Sequence, residues 1–202
     1  MNPKVKICGM TNAETIQTAI KHKVDYLGFV FYPKSPRNLS PKQATILIKD
    51  IPDHINKVAV MVDETDQFIN YIEKDFDYFQ LHGNEDLKRV RELKTKFNKK
   101  IIKVIKVRDE NSAKTFQQFE DEVDMFLFDS PAMEKTAKFD WQILTKLKIT
   151  KPYLVAGSIN INNADEILKY NPYGIDVSAG VESSIGIKSS KKIIEFLEKV
   201  KS

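Results

Sequence analysis

Eight times along its 202 residues the chain runs a short stretch of β-branched and aromatic residues into a longer segment of helical period, one unit about every 25 residues. The expected strands cover 5–8, 26–31, 57–62, 78–81, 101–105, 125–128, 153–156 and 174–178. Each is followed by an expected helix. Thr11 or Asn12 can cap the first, Ser40-Pro41 opens the second, and Thr65-Asp66 opens the third. The others span 85–97, 112–119, 140–147, 162–170 and 189–200. Strands joined by helices are parallel and covered on both faces. Eight such units make an α/β protein, a single (β/α)8 TIM barrel over 1–202. An open doubly wound sheet is the alternative, but Cys8-Gly9-Met10 is not the phosphate-binding first turn that such a sheet carries.

Composition narrows the function. Apolar residues make up 42% of the chain, enough for a core and too many for a disordered segment. No run approaches the ~18 uncharged apolar residues of a membrane span, and no signal peptide opens the chain. The lone cysteine, Cys8, rules out an internal disulfide, so a cytoplasmic protein is expected. A net charge of +4 comes from lysines interleaved with Asp and Glu, which makes solvated helix faces rather than a nucleic-acid footprint. No nucleic-acid or membrane partner is expected, and a monomer is the default.

In such a barrel the chemistry sits at the C-terminal ends of the strands. Gly9, Gly83, Gly157 and Gly180 follow strands one, four, seven and eight, which concentrates glycine on that face. The segments Ala156-Gly157-Ser158 and Ser178-Ala179-Gly180 let main-chain N–H groups converge where these barrels bind phosphate. The expected partner is a small phosphorylated substrate. Cys8 ends strand one and reads either as a small buried hydrophobe or as a catalyst. Asp129 ends a wholly apolar strand six, where partial burial can raise its pKa. His82 follows strand four, as a structural hydrogen-bonding group or a site residue, and Asp176 lies within strand eight. Arg37 is an arginine in a lysine-rich chain, on the loop after strand two; its planar fork suits a carboxylate. His22, His54 and His82 fall in different units without metal-ligand spacing. Acid–base chemistry on a phosphate ester, with no metal and no cofactor, is what remains.

Taken in order, Lys6-Ile7-Cys8-Gly9-Met10, Gly28-Phe29-Val30-Phe31 followed by Ser35-Pro36-Arg37, Val60-Met61-Val62, Gln80-Leu81-His82-Gly83, Phe128-Asp129-Ser130, Phe139-Asp140-Trp141 and Asp176-Val177-Ser178-Ala179-Gly180-Val181-Glu182 resemble phosphoribosylanthranilate isomerase of tryptophan biosynthesis. The resemblance implies an Amadori rearrangement of N-(5-phosphoribosyl)anthranilate. It makes Asp129 the general acid that opens the ribose ring and Cys8, as thiolate, the base that takes the C2 proton. Arg37 would hold the anthranilate carboxylate, Gly157, Ser158, Ala179 and Gly180 the phosphate, with His82 and Asp176 also at the substrate. Two departures stand out: residues 131–138 lack the family's usual glycines, and Ala156-Gly157 replaces a glycine pair. A different phosphosugar barrel, or a non-catalytic phosphate-binding one, remains open at this point.

Overall fold

In the computed structural model, which describes residues 2–131 and 139–201, eight parallel strands close into a barrel in chain order. They are β1 (Lys4–Cys8), β2 (Tyr26–Phe31), β3 (Asn56–Met61), β4 (Tyr78–Leu81), β5 (Lys100–Lys106), β6 (Met125–Asp129), β7 (Tyr153–Val155) and β8 (Gly174–Val177). Each leads to a helix: α1 (Ala13–Lys21), α2 (Pro41–Ile48), α3 (Asp66–Ile72), α4 (Leu87–Phe97), α5 (Glu110–Lys114), α6 (Gln142–Thr145), α7 (Ala164–Leu168) and α8 (Ser190–Lys201). β1 pairs with both β2 and β8, so the barrel has no edge and the open sheet is excluded.

The helices begin where side chains can satisfy their free N–H groups. Asn12, rather than Thr11, caps α1; Ser40 caps α2 in a reciprocal box with Gln43, and Thr65 caps α3. The fourth helix starts two residues later than its pattern suggests. Asp86 takes the cap, while Glu85 turns back against the barrel wall to the buried Lys103. The fifth runs Glu110–Lys114 and then tightens to a 3-10 stretch, Thr115–Phe119. That geometry stacks residues three apart, and it buries Phe116 and Phe119 together. After β8 the chain adds an antiparallel hairpin, β9 (Glu182–Ser184) with β10 (Ile187–Lys188), too short to leave a periodic signal.

Side chains alternate across each strand, so the barrel wall has two faces. The outward face meets the helices in an aromatic layer, where Phe116 and Phe126 lie edge to face at 5.4 Å and Phe31 and Phe76 at 5.5 Å. The inward face is filled by Tyr26, Val30, Val58, Val60, Tyr78, Ile102, Val104, Met125, Leu127, Leu154 and Ala156. By the same parity Lys4, Lys6 and Cys8 point inward from β1, Asp176 from β8, Lys106 from β5 and Asp129 from β6. The interior is therefore apolar except along β1 and β8, at the buried Gln80 of β4 and at the C-terminal mouth.

Candidate active site

Strand ends place each group at the mouth. Cys8 is the last residue of β1 and is half-buried. Asp129 is the last of β6, and the register sets Lys106 of β5 beside it. His82 follows β4, with its Nε2 3.7 Å from Asp129 Oδ2, too far for a hydrogen bond. Its Nδ1 lies 3.5 Å from Gln80 Nε2. Burial, with Lys106 and Lys6 nearby, pushes His82 down to about 4, so its imidazole is neutral at pH 7. Burial also pushes the Asp129 carboxyl up to about 7, helped by the negative charge of Asp176. That carboxyl therefore carries a proton about half the time at neutral pH, as a general acid needs.

Below the mouth, Lys6 is fully buried and donates to both oxygens of Asp176, each at 3.0 Å. Register makes the pair, since Lys6 of β1 lies opposite Asp176 of β8. Asp176 thus faces the barrel interior with Lys6 across both of its oxygens. Burial raises the Cys8 thiol; Lys6 and Lys188 oppose the rise, Asp176 adds to it, and the thiol stays above its ordinary value.

Arg37 folds over Gly9, and a Cβ on that glycine would come within 2.3 Å of the arginine Cδ. Its Nε and Nη2 bind the two oxygens of Glu182 at 2.6 and 2.8 Å. Lys188, fully buried at its side chain, donates to Glu182 Oε1 at 2.6 Å, and the Gly186 N–H donates to Oε2 at 3.1 Å. Burial opposes a charge on Glu182, but Arg37 and Lys188 overcome it and hold the carboxyl down at about 2. One edge of the Arg37 fork is thus fixed, and the guanidinium stands beside Cys8 with its other edge uncommitted among the described residues.

The two small-residue turns close the rim. Gly157 has φ +90 and Ser158 φ +54, both in the left-handed region, and Ser158 O accepts from Asn160 Nδ2 and Asn163 Nδ2. Any Cβ at Gly157 would strike Ser130 Oγ at 2.3 Å, and one at Gly180 would strike Ile159 O at 2.1 Å. The turns after β6, β7 and β8 therefore touch backbone to backbone. Among the described residues, nothing accepts from the N–H groups of Gly157 and Ser158. Ala179–Val181 follows as a 3-10 turn with Ala179 and Gly180 at its start. Residues 132–138, where the sequence departs from the glycine-rich pattern, lie outside the described residues.

Cys8, Asp129, His82, Arg37 and the two turns thus share one rim. Sequence reasoning passed over Lys6, Lys106, Lys188 and Glu182 as site residues. Strand parity was the available signal for the first two, because Lys6 and Lys106 share the inward parity of Cys8 and Val104. Nothing local marks Lys188 as buried.

A half-buried thiol, a near-neutral carboxyl and amide-rich turns at the C-terminal mouth define the class: a (β/α)8-barrel enzyme working on a small anionic substrate. The chain belongs to the N-(5'-phosphoribosyl)anthranilate isomerase family, whose model matches residues 5–199. An N-(5'-phosphoribosyl)anthranilate isomerase of Legionella pneumophila (strain Corby) is 37% identical over 216 residues, covering 99% of each chain. One from Zymomonas mobilis is 34% identical, over 100% of this chain and 99% of its own. The phosphoribosyl anthranilate isomerase structure from Thermotoga maritima superposes with a TM-score of 0.89 at 29% identity, covering 98% of both chains.

Proposed function

We propose that Cys8 and Asp129 carry out the two proton transfers of this family's reaction. The enzyme rearranges N-(5'-phosphoribosyl)anthranilate to 1-(2-carboxyphenylamino)-1-deoxyribulose 5-phosphate in tryptophan biosynthesis. In this reading the neutral Asp129 carboxyl protonates the ribose ring oxygen, and the ring opens to a protonated Schiff base. Cys8, as thiolate, removes the C2 proton; the enolamine formed then tautomerises to the ketone. Each transfer supplies about 10²–10⁴-fold. Arg37 meets the anthranilate carboxylate with the edge that Glu182 leaves free. The amides of Gly157, Ser158, Ala179 and Gly180 receive the phosphate. Neutral His82 lines the mouth beside Asp129, and Asp176 contributes through Lys6.

The carrying observation is a carboxyl pushed to about 7 at the end of an apolar strand, sharing a mouth with the only thiol of the chain. A related structure was crystallised with reduced 1-(o-carboxyphenylamino)-1-deoxyribulose 5-phosphate, a ligand with the same two anionic ends. One barrel over 1–202 is the whole catalytic unit in this reading, and the lone half-buried thiol suits the reducing cytoplasm. We infer a monomer, since the exposed large apolar side chains Ile46, Tyr71, Tyr173, Ile185 and Ile187 sit on separate elements apart from the last two. A Thermotoga maritima relative is dimeric, so sedimentation is the check. Growth rescue of a tryptophan auxotroph lacking only this isomerase tests the function. Wild type should rescue and Asp129→Asn should not; failure of well-expressed wild type would overturn the reading.

A further inference from the structure

We propose that the buried Lys6–Asp176 ion pair is the positioning element of the site, presenting its ammonium to Cys8 and its carboxylate to Asp129. The proposal rests on the assignment of Cys8 and Asp129 as base and acid.

The geometry is built from three strands. Lys6 and Cys8 are two residues apart on β1, so both point into the barrel. β8 places Asp176 opposite Lys6, and the ammonium bridges its two oxygens at 3.0 Å. β2 places Gly28 opposite Cys8. A Cβ on Gly28 would lie 3.0 Å from Cys8 Sγ and 3.1 Å from Lys6 Nζ, so thiol and ammonium meet over the one β2 residue without a side chain. Gly28 does not have a left-handed φ; it leaves space rather than making a turn.

Replacing a fully buried ion pair by apolar residues of similar volume often costs nothing or stabilises. The interior around it is already apolar, so packing alone gives no reason for the pair. Its surroundings do. Cys8 faces Lys6 from its own strand, Asp176 from β8, Lys188 from β10 and Arg37 from the loop after β2. Of these cations Lys6 acts on the thiol most strongly, and it favours the thiolate. Asp129 faces Asp176, Lys6, Lys106 and His82, and among these Asp176 is the group that favours its protonated form. Lys6 outweighs Asp176 at Cys8 and Asp176 outweighs Lys6 at Asp129, so one oriented pair biases the two reacting groups in opposite directions, against the burial that still raises the thiol.

Because Cys8 is the only thiol, the pH dependence of its alkylation by iodoacetamide reads its ionisation directly, with no need of turnover. In the double variant Lys6→Met/Asp176→Leu, the midpoint should rise by about one pH unit, so that alkylation at pH 7 slows about tenfold. Simple loosening of the mouth would admit water and move the midpoint the other way, down toward that of a free thiol. An unchanged or lowered midpoint in a folded variant therefore overturns the proposal. Gly28→Ala gives a second test that keeps both charges. It wedges a methyl group between sulfur and ammonium, and it too should raise the midpoint; no rise contradicts the proposal. Near-normal turnover of Cys8→Ser would instead remove the base assignment, an outcome separable from the alkylation profile.

Discussion

Two buried lysine–carboxylate pairs stand on opposite faces of the barrel wall, and they do different things. Lys103 and Glu85 form the outer one, at 2.7 Å. There every bond ends on framework: Glu85 Oε1 accepts from the N–H groups of Asp63 and Gly83, and Lys103 Nζ lies over the Phe119 ring. Burial opposes the charge of Glu85, but Lys103 and those amides win, and its pKa falls. Lys6 and Asp176 form the inner pair, which has no backbone amide on its carboxylate among the described residues. Burial dominates, and the Asp176 pKa rises. The outer pair is saturated and pins the loops after β3 and β4. The inner pair keeps field to spare for its titratable neighbours. Saturation by backbone separates the structural pair from the one placed at the chemistry.

Breaking the outer pair should give the largest loss of stability. Lys103→Met leaves Glu85 buried without its cation, at a cost of about 3–5 kcal/mol in denaturant unfolding. The kcat of the folded enzyme should stay close to wild type. A drop in kcat without loss of stability would erase the distinction between the pairs.

Asp129 gives a stability effect of opposite sign. Its folded pKa, about 7, lies above its unfolded value of 3.8, so the folded state binds the proton more tightly. Stability from this group is full below about pH 4 and is lost as the pH rises through 7. Asp129→Asn removes that dependence. It should be more stable than wild type at pH 8 by about 4 kcal/mol, and nearly equal to it near pH 4. Chemical denaturation at the two pH values checks this; a difference that does not vary with pH would mean that Asp129 is not held protonated by burial.

Arg37→Ala sits at the smaller end. Losing a charge-assisted hydrogen bond to the substrate carboxylate should lower kcat/KM by about 1.5–3 kcal/mol, chiefly through KM. It also uncovers Glu182, which keeps Lys188 and the Gly186 N–H, so the fold should hold. Unchanged kinetics would reduce Arg37 to a brace for the β9–β10 hairpin.

The parts of the molecule that could be read from the sequence are those written in local periodicity. The barrel, the caps at Ser40 and Thr65, and Asp129 at the end of an apolar run all follow from neighbours within a few residues. Strand parity turns Lys6 into the barrel, but its partner and its role could not be recognised that way. It is one lysine in a lysine-rich chain, and its partner Asp176 lies 170 residues away, brought beside it only by closure of β1 onto β8. Lys188 and Glu182 hide for a similar reason, in a hairpin two to three residues deep. Glu85 reads as the first exposed turn of a helix, yet it is buried because Asp86 is the better cap.

A thiol and a carboxyl in one mouth divide the proton transfers, and Cys8→Ser separates their roles. A hydroxyl nearly preserves shape but cannot ionise near neutral pH. Steady-state turnover of N-(5'-phosphoribosyl)anthranilate, measured beside product-analogue binding, should show kcat lower by at least about 10²-fold with binding unchanged. Near-normal turnover by the serine enzyme would contradict the account and move the base to another residue of the mouth.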